Sequence, residues 1–269
     1  MTTTGRRLPV LPIVILLVVL ALASTVVSLA FGSEHIPLGE VIHVVEDRLA
    51  GHPISSPFDT IVWDLRLPRA LLALIVGAGL SIGGAGMQTL VRNPLADPYL
   101  LGISSGASVG ATAVITMGLL GRMGSWALSG GALIVVGLGM MAIHNWLDAL
   151  AAGPETAAAL GVRTGALRTG LFGALGILIG ARVGVSGGIG FVGLILPHAA
   201  RILVGATHRR MLPVAAAAGS LFMVWVDVIS RVVARPQEIP RGVVTGVIGA
   251  PVFLILMGRR KYAFGGRDA

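Results

Sequence analysis

Long apolar stretches, separated by short clusters of Gly, Pro and charge, set the pattern of this chain. A bilayer-crossing helix needs roughly 20 mostly apolar residues. By that measure Leu8 to Phe31 predicts a first span. The stretch from about Gly32 to Asp64, with Glu34, Glu40, Glu46, Asp47, Asp59 and Asp64 against Arg48, reads as a solvated loop. A second span begins near Pro68, a residue favoured at helix starts, and runs to about Leu90. Arg92 to Pro98 is a turn-rich connection. Further apolar runs cover Tyr99 to Leu120, Ala127 to Trp146, Leu171 to Val185, Phe191 to Val204 with Pro197 inside it, Met211 to Val233, and Gly242 to Met257. The segment Asp148 to Arg168 is Ala-rich and carries several charges, too polar to span. The expected fold is all-α: a polytopic membrane bundle of about eight spans, forming a single domain over residues 1–269.

Basic residues orient the bundle. Cytoplasmic connections are enriched in Lys and Arg. Arg6 and Arg7, the turn Thr207-His208-Arg209-Arg210, and Arg259-Arg260-Lys261 all fall on one side of the expected topology. Both termini are therefore expected in the cytoplasm, with the protein in the inner membrane. A signal peptide ending near Ala21-Leu22-Ala23 is the rival reading of the first run, which is long for that role.

Composition sharpens this. The chain is 55% hydrophobic and 12% charged, whereas soluble domains carry about 25% charged residues. The net charge of +8 is scattered at the ends of apolar runs. It fits the membrane charge rule and lipid contact better than a nucleic-acid face. There is no cysteine, which excludes a Cys-based metal or redox site. The single lysine, Lys261, precedes Tyr262. A phosphate-binding loop needs Lys followed by Ser or Thr, so the chain cannot hydrolyse ATP by that device and is expected not to be an enzyme. Glycines recur at four-residue spacing at Gly79 and Gly83, Gly102, Gly106 and Gly110, Gly176, Gly180 and Gly184, and Gly242 and Gly246. Small residues on one face let membrane helices approach closely.

Several irregular motifs carry a family resemblance. They are Leu65-Arg66-Leu67-Pro68-Arg69, Gly86-Met87-Gln88, Arg92-Asn93-Pro94-Leu95-Ala96-Asp97-Pro98 and Leu101-Gly102-Ile103-Ser104-Ser105-Gly106-Ala107. Further on come Gly190-Phe191-Val192-Gly193-Leu194-Ile195-Leu196-Pro197-His198, His208-Arg209-Arg210, Pro240-Arg241-Gly242-Val243-Val244-Thr245 and Gly249-Ala250-Pro251-Val252-Phe253. In this order they resemble the FecCD-type permeases, the membrane subunits of ATP-driven importers of ferric siderophores, haem and cobalamin. The resemblance implies two ABC ATPase subunits that bind ATP and Mg²⁺, an extracytoplasmic binding protein, and a second permease copy or homologue. It implies no cofactor in this chain. Pro154, Glu155, Thr156, Ala158, Leu160 and Gly161 look like the family's coupling segment, a short helix with a Gly stop that seats on the ATPase. Arg66, Arg69 and Arg231 match family arginines that meet acidic residues of the binding protein, a role suited to the bidentate guanidinium. Snorkelling toward headgroups is the alternative for each, and an ion pair with Asp227 is a further alternative for Arg231.

Asp227 lies within an apolar run, where a carboxylate is costly; Arg231, four residues on, makes a structural ion pair the expected account. His35, His43, His52, His144, His198 and His208 lack metal-ligand spacing. No catalytic constellation is expected. Relative to the ten spans usual in the family, a two-helix hairpin is missing between Leu120 and Gly124. A shortened family member and a chain from which that segment was left out both fit. Two other functions stay open: a transport-incompetent remnant or scaffold, and an ATP-independent transporter, for which Asp227 is the sole candidate relay group.

Overall fold

The computed structural model describes residues 8–32, 34–52, 56–98 and 124–259, with isolated positions at 109, 116 and 117. Among these residues the regular structure is helical. The expected span Tyr99 to Leu120, Gly102, Gly106 and Gly110 within it, and Lys261 lie wholly or almost wholly outside the described residues.

The first apolar run forms α1 (Val10–Ala30), a peripheral helix with Leu11, Ile15, Leu16 and Val19 exposed, an apolar surface suited to lipid. The polar stretch after it is largely exposed, as expected, but it is not a plain loop. It carries α2 (Leu38–Ala50), whose Val41 and Val44 are buried against Leu29, Ile36, Val62 and Ala70. Two valines three residues apart share a helix face, enough to seat an otherwise charged helix on the bundle. Arg48 donates to both carboxylate oxygens of Asp59, Nε lying 2.8 Å from Oδ1 and Nη2 bonding Oδ2.

The second span starts earlier than expected. A π-helical stretch, Thr60–Arg66, runs straight into α3 (Leu67–Val91), so Pro68 sits inside one continuous helix. A proline ring clashes with the carbonyl four residues back. Here the preceding turn is wound wider, with Leu67 N–H bonded to Val62 O five residues back, which makes room for it.

The expected span Ala127 to Trp146 is broken in two: α4 (Gly124–Ala142) and α5 (His144–Ala152) meet at 69° around Ile143. Then follow α6 (Pro154–Ala159), α7 (Thr164–Ser186), α8 (Val192–Val204), α9 (His208–Val232) and α10 (Arg241–Arg259). The Ala-rich segment 148–168 thus divides among the end of α5, α6 and the first turns of α7. Among the described residues four helical stretches are long and apolar enough to cross a membrane, or five if α4 and α5 count as one bent span. At 1.5 Å per residue α8 extends only about 20 Å, short of the roughly 30 Å hydrocarbon layer. By length and apolarity the described residues therefore stop short of the eight spans expected.

Helices α3 and α9 form the centre; α1 and α8 pack on α9, α8 and α7 on α3, and α4 on α7. Among the four-residue glycines Gly242 makes a close backbone approach, a Cβ there lying 2.3 Å from Gly188 O, and other glycines do so as well. A Cβ on Gly77 would lie 2.1 Å from Gly219 O, and one on Gly84 only 1.8 Å from Gly193 O. Backbone meets backbone at both points, α3 against α9 and α3 against α8. By contrast a Cβ on Gly246 would meet nothing within 4 Å.

Candidate functional site

Two ends of the bundle carry the polar chemistry. At one end lie the Arg92 turn, α6 and the His208 turn, which the charge rule assigns to a common side; at the other lie the end of α1, the start of α3, the end of α9 and the start of α10.

At the first end the candidate coupling residues form a compact projection. Gly153, at φ 140°, precedes Pro154 at the first helical position. Gly161, at φ 77°, closes the helix. Its N–H bonds Ala158 O at 2.9 Å and the Val162 N–H bonds Ala157 O at 3.0 Å, the paired bonds of a glycine-terminated helix. Ala157 is buried, while Glu155, Thr156, Ala158, Leu160 and Gly161 face outward and Pro154 is half-buried. Leu160 is 68% exposed. The segment is exposed along most of its length and ends in an exposed apolar side chain, Leu160.

At the opposite end the three singled-out arginines are held internally. Arg66 is buried and donates through Nη1 to Leu29 O at 2.6 Å and through Nη2 to Glu34 O at 2.7 Å. Gly32 leaves the space for its guanidinium. Arg231, also buried, donates through Nη1 to Phe31 O at 2.6 Å and through Nη2 to Ser28 O at 3.3 Å. The last carbonyls of a helix have no partner within it and carry partial negative charge. Arg66 and Arg231 supply that partner for α1 from two other helices. Arg69 is the more accessible of the three. Its Nε donates to Asp227 Oδ1 at 2.8 Å, and its Nη1 reaches Glu238 Oε1 and Oε2 at 2.8 and 2.7 Å.

Asp227 does pair with Arg231, Nε to Oδ2 at 3.0 Å, as the four-residue spacing predicts. It also takes Arg69 and Arg241, whose Nε lies 2.7 Å from Oδ1. One fully buried carboxylate thus ties α3, α9 and α10 together. Arg241 and Glu238 were not anticipated, because their position at a turn gives no spacing relation to Arg69. A cleft of about 350 Å³ opens beside them, lined by Arg69, Ser230, Glu238, Arg241 and the turn at Ser186 to Gly188.

The motifs that carry the resemblance converge in space. Gln88 Nε2 donates to Gly193 O at 3.2 Å, and its Oε1 accepts from Arg201 Nη1 at 2.5 Å. Asp97 Oδ2 accepts the N–H of Phe191 at 3.2 Å. Phe191 has φ 69°, a costly conformation for an aromatic residue. Its Cβ occupies the space where a side chain on Gly249 would begin, at 2.4 Å. Three stretches far apart in sequence therefore support one another around the start of α8.

Arg182 was also missed. It is fully buried between α3, α4 and α7, with Nη1 donating to Ser129 O at 2.7 Å while Nε and Nη2 have no partner among the described residues. The rule that flagged Asp227, an ionisable group in an apolar run, would have found it. Among the described residues no cluster of His, Cys, Asp or Glu could hold a metal ion.

The described residues thus form a helical bundle with helices apolar and long enough to cross a membrane, a short exposed helix at one end and an arginine-carboxylate cluster at the other. The chain belongs to the FecCD transport family, whose sequence profile matches residues 16–136 and 120–259. It is 32% identical to an uncharacterized ABC transporter permease protein, YvrB, of Bacillus subtilis, covering 91% of this chain and 92% of the relative. It is 31% identical to the vitamin B12 import system permease protein BtuC of Salmonella typhimurium, covering 88% of this chain and 92% of the relative. The fold matches a solved structure described as an inward-facing conformation of a metal-chelate type ABC transporter. The TM-score is 0.74 at 26% identity, over 93% of this chain and 99% of that one. The protein is thus an ABC transporter permease of the FecCD type.

The alignments also bear on the missing hairpin. The match to the Bacillus relative extends over 327 aligned positions, more than the 269 residues present here. Several dozen positions of that relative have no counterpart in this chain. The two matches to the family profile overlap at residues 120–136.

Proposed function

We propose that this chain is the membrane-spanning subunit of a binding-protein-dependent importer that carries a metal chelate, a ferric siderophore, haem or a cobalamin-like cargo, across the inner membrane by ATP-driven alternating access. The projection Pro154 to Gly161 carries the reading: a rigid helix, bracketed by two positive-φ glycines and tipped by exposed Leu160, on a chain without a phosphate-binding loop. Such a surface fits a groove on a separate ATPase, which would bind ATP and Mg²⁺. Closure of two ATPase subunits would then draw the levers of two permease copies together and shift the opening from one side to the other. The names of the Salmonella and metal-chelate relatives support the cargo class.

Both termini would face the cytoplasm, with the arginine-carboxylate end outside. There a binding protein would dock by its acidic residues. Arg69, paired to surface Glu238, is the arginine placed to exchange partners, whereas Arg66 and Arg231 would act by holding the end of α1 in position. No step makes or breaks a covalent bond in this chain. A second reading, a shortened paralogue that binds these partners without transport, is favoured by the unmatched alignment positions.

Reconstitution with candidate ATPase and binding-protein subunits tests both. Cargo uptake that requires ATP is the expected result; complex formation with no uptake establishes the second reading, and uptake without any ATPase removes the first.

A further inference from the structure

Asp148, His208 and Thr89 join the lever to the centre of the bundle. Asp148 sits on α5, which is joined to α6 by the one residue Gly153 and packs against it. The 69° bend between α4 and α5 means that α4 cannot act as a straight strut for α6. The polar attachment runs instead through Asp148 Oδ1, which accepts the backbone N–H of His208 at 2.9 Å and faces its Nδ1 at 2.5 Å. On the far side of the ring Nε2 lies 2.7 Å from Thr89 Oγ1 on α3. His208 is 2% exposed, so the contact is shielded from water.

Local chemistry explains why these groups meet. The first N–H groups of a helix have no partner within it, and the helix N-terminus favours a negative charge. Thr207, the N-cap of α9, makes no side-chain cap bond. Asp148 supplies the missing cap from another helix. The hydroxyl of Thr89 has one proton, directed either at His208 Nε2 or at Ala85 O, 2.9 Å away. In both arrangements the contact with the carboxylate places a proton on Nδ1. Leu147 and Leu150 bury beside this joint. Apolar contacts resist separation but permit sliding, whereas two hydrogen bonds to one oxygen fix direction.

We propose that the Asp148–His208–Thr89 joint is the element that passes displacement of the Pro154–Gly161 lever into α3 and α9 together, Asp148 and His208 acting as positioning residues. This rests on the importer reading above. It also makes α6, α5, α3 and α9 one mechanical train, entered at a single carboxylate.

The absence of cysteine allows a direct test on the full chain in lipid nanodiscs. Spin labels at Val91→Cys and Leu160→Cys, both at exposed positions, report the distance between the end of α3 and the lever tip. Asp148→Ala is expected to broaden that distance distribution at least about twofold, and Asp148→Asn, whose amide oxygen still accepts the His208 N–H, to broaden it less. In the reconstituted importer the same Ala variant is expected to lower cargo moved per ATP by about tenfold, with ATPase co-purification retained. Should Asp148→Ala fail to fold, Thr89→Val carries the same two measurements, with a smaller change in the same direction. An unchanged distance distribution overturns the joint, as does an unchanged ratio of cargo to ATP. If the unmutated chain shows no ATP-dependent uptake, the importer reading fails, while the label distances still decide whether the joint holds the lever.

Discussion

Arg69 Nε lies 2.8 Å from Asp227 Oδ1, and Asp227 is 1% exposed, so the carboxylate at the end of α9 is the anchor for α3. The same carboxylate holds Arg231 and Arg241. Removing one partner of a buried ion pair leaves the others uncompensated, at a cost of about 3–5 kcal/mol. Asp227→Ala is therefore expected to lower thermal stability in detergent far more than Glu238→Ala, whose side chain is half in solvent. Equal melting shifts would show that the cluster is not anchored at Asp227.

Close helix approach gives a steric prediction. A Cβ at Gly84 would lie 1.8 Å from Gly193 O, and backbone cannot swing aside as a side chain can. Gly84→Ala is expected to cost about 1–3 kcal/mol, the usual range for overpacking. Gly246→Ala, which meets nothing, is expected to gain up to about 1 kcal/mol from the better helix propensity of alanine. Thermal unfolding of the two variants side by side checks the contrast.

Arg182 carries a charge in a fully buried position with one hydrogen bond among the described residues. Taking an ion out of water costs several kcal/mol that its partners must repay, and one hydrogen bond does not, so an apolar side chain of similar length removes a net penalty. Arg182→Met is expected to raise the melting temperature. A fall of comparable size would reveal an anionic or carbonyl partner for the guanidinium.

The contact of Arg48 with Asp59 holds the Asp59 carboxyl below the usual carboxylate range, chiefly through the side-chain hydrogen bond. A depressed folded value means that the contact stabilises at pH above the ordinary carboxylate value of about 3.9 and is lost as the pH falls through the lower, folded value. Arg48 also lies 5.9 Å from the Trp63 ring centroid. Trp63 fluorescence is therefore expected to change on acidification below about pH 4, and Arg48→Gln is expected to remove that transition.

Much of this was legible in the pattern of apolar residues. The long runs became α1, α3, α7 and α9 because twenty greasy residues in succession have one favourable disposition. Gly161 was legible as a helix stop because only glycine takes φ 77° without strain. What the sequence concealed depended on distant partners. Arg66 and Arg231 advertised charge, but the carbonyls they cap belong to α1, some forty and two hundred residues away. In α2 the two buried valines were outweighed by Glu40, Glu46, Asp47 and Arg48, so a seated helix read as a loop. The bend at Ile143 left no mark in hydropathy, because both arms are apolar enough to pass as one run.

Where Gly77 meets Gly219 and Gly84 meets Gly193, no side chain intervenes to act as a bearing. Helices α3, α8 and α9 are in effect welded into a keel. Any rearrangement within the described bundle is therefore expected to carry that keel as one piece and to run along seams padded with flexible side chains.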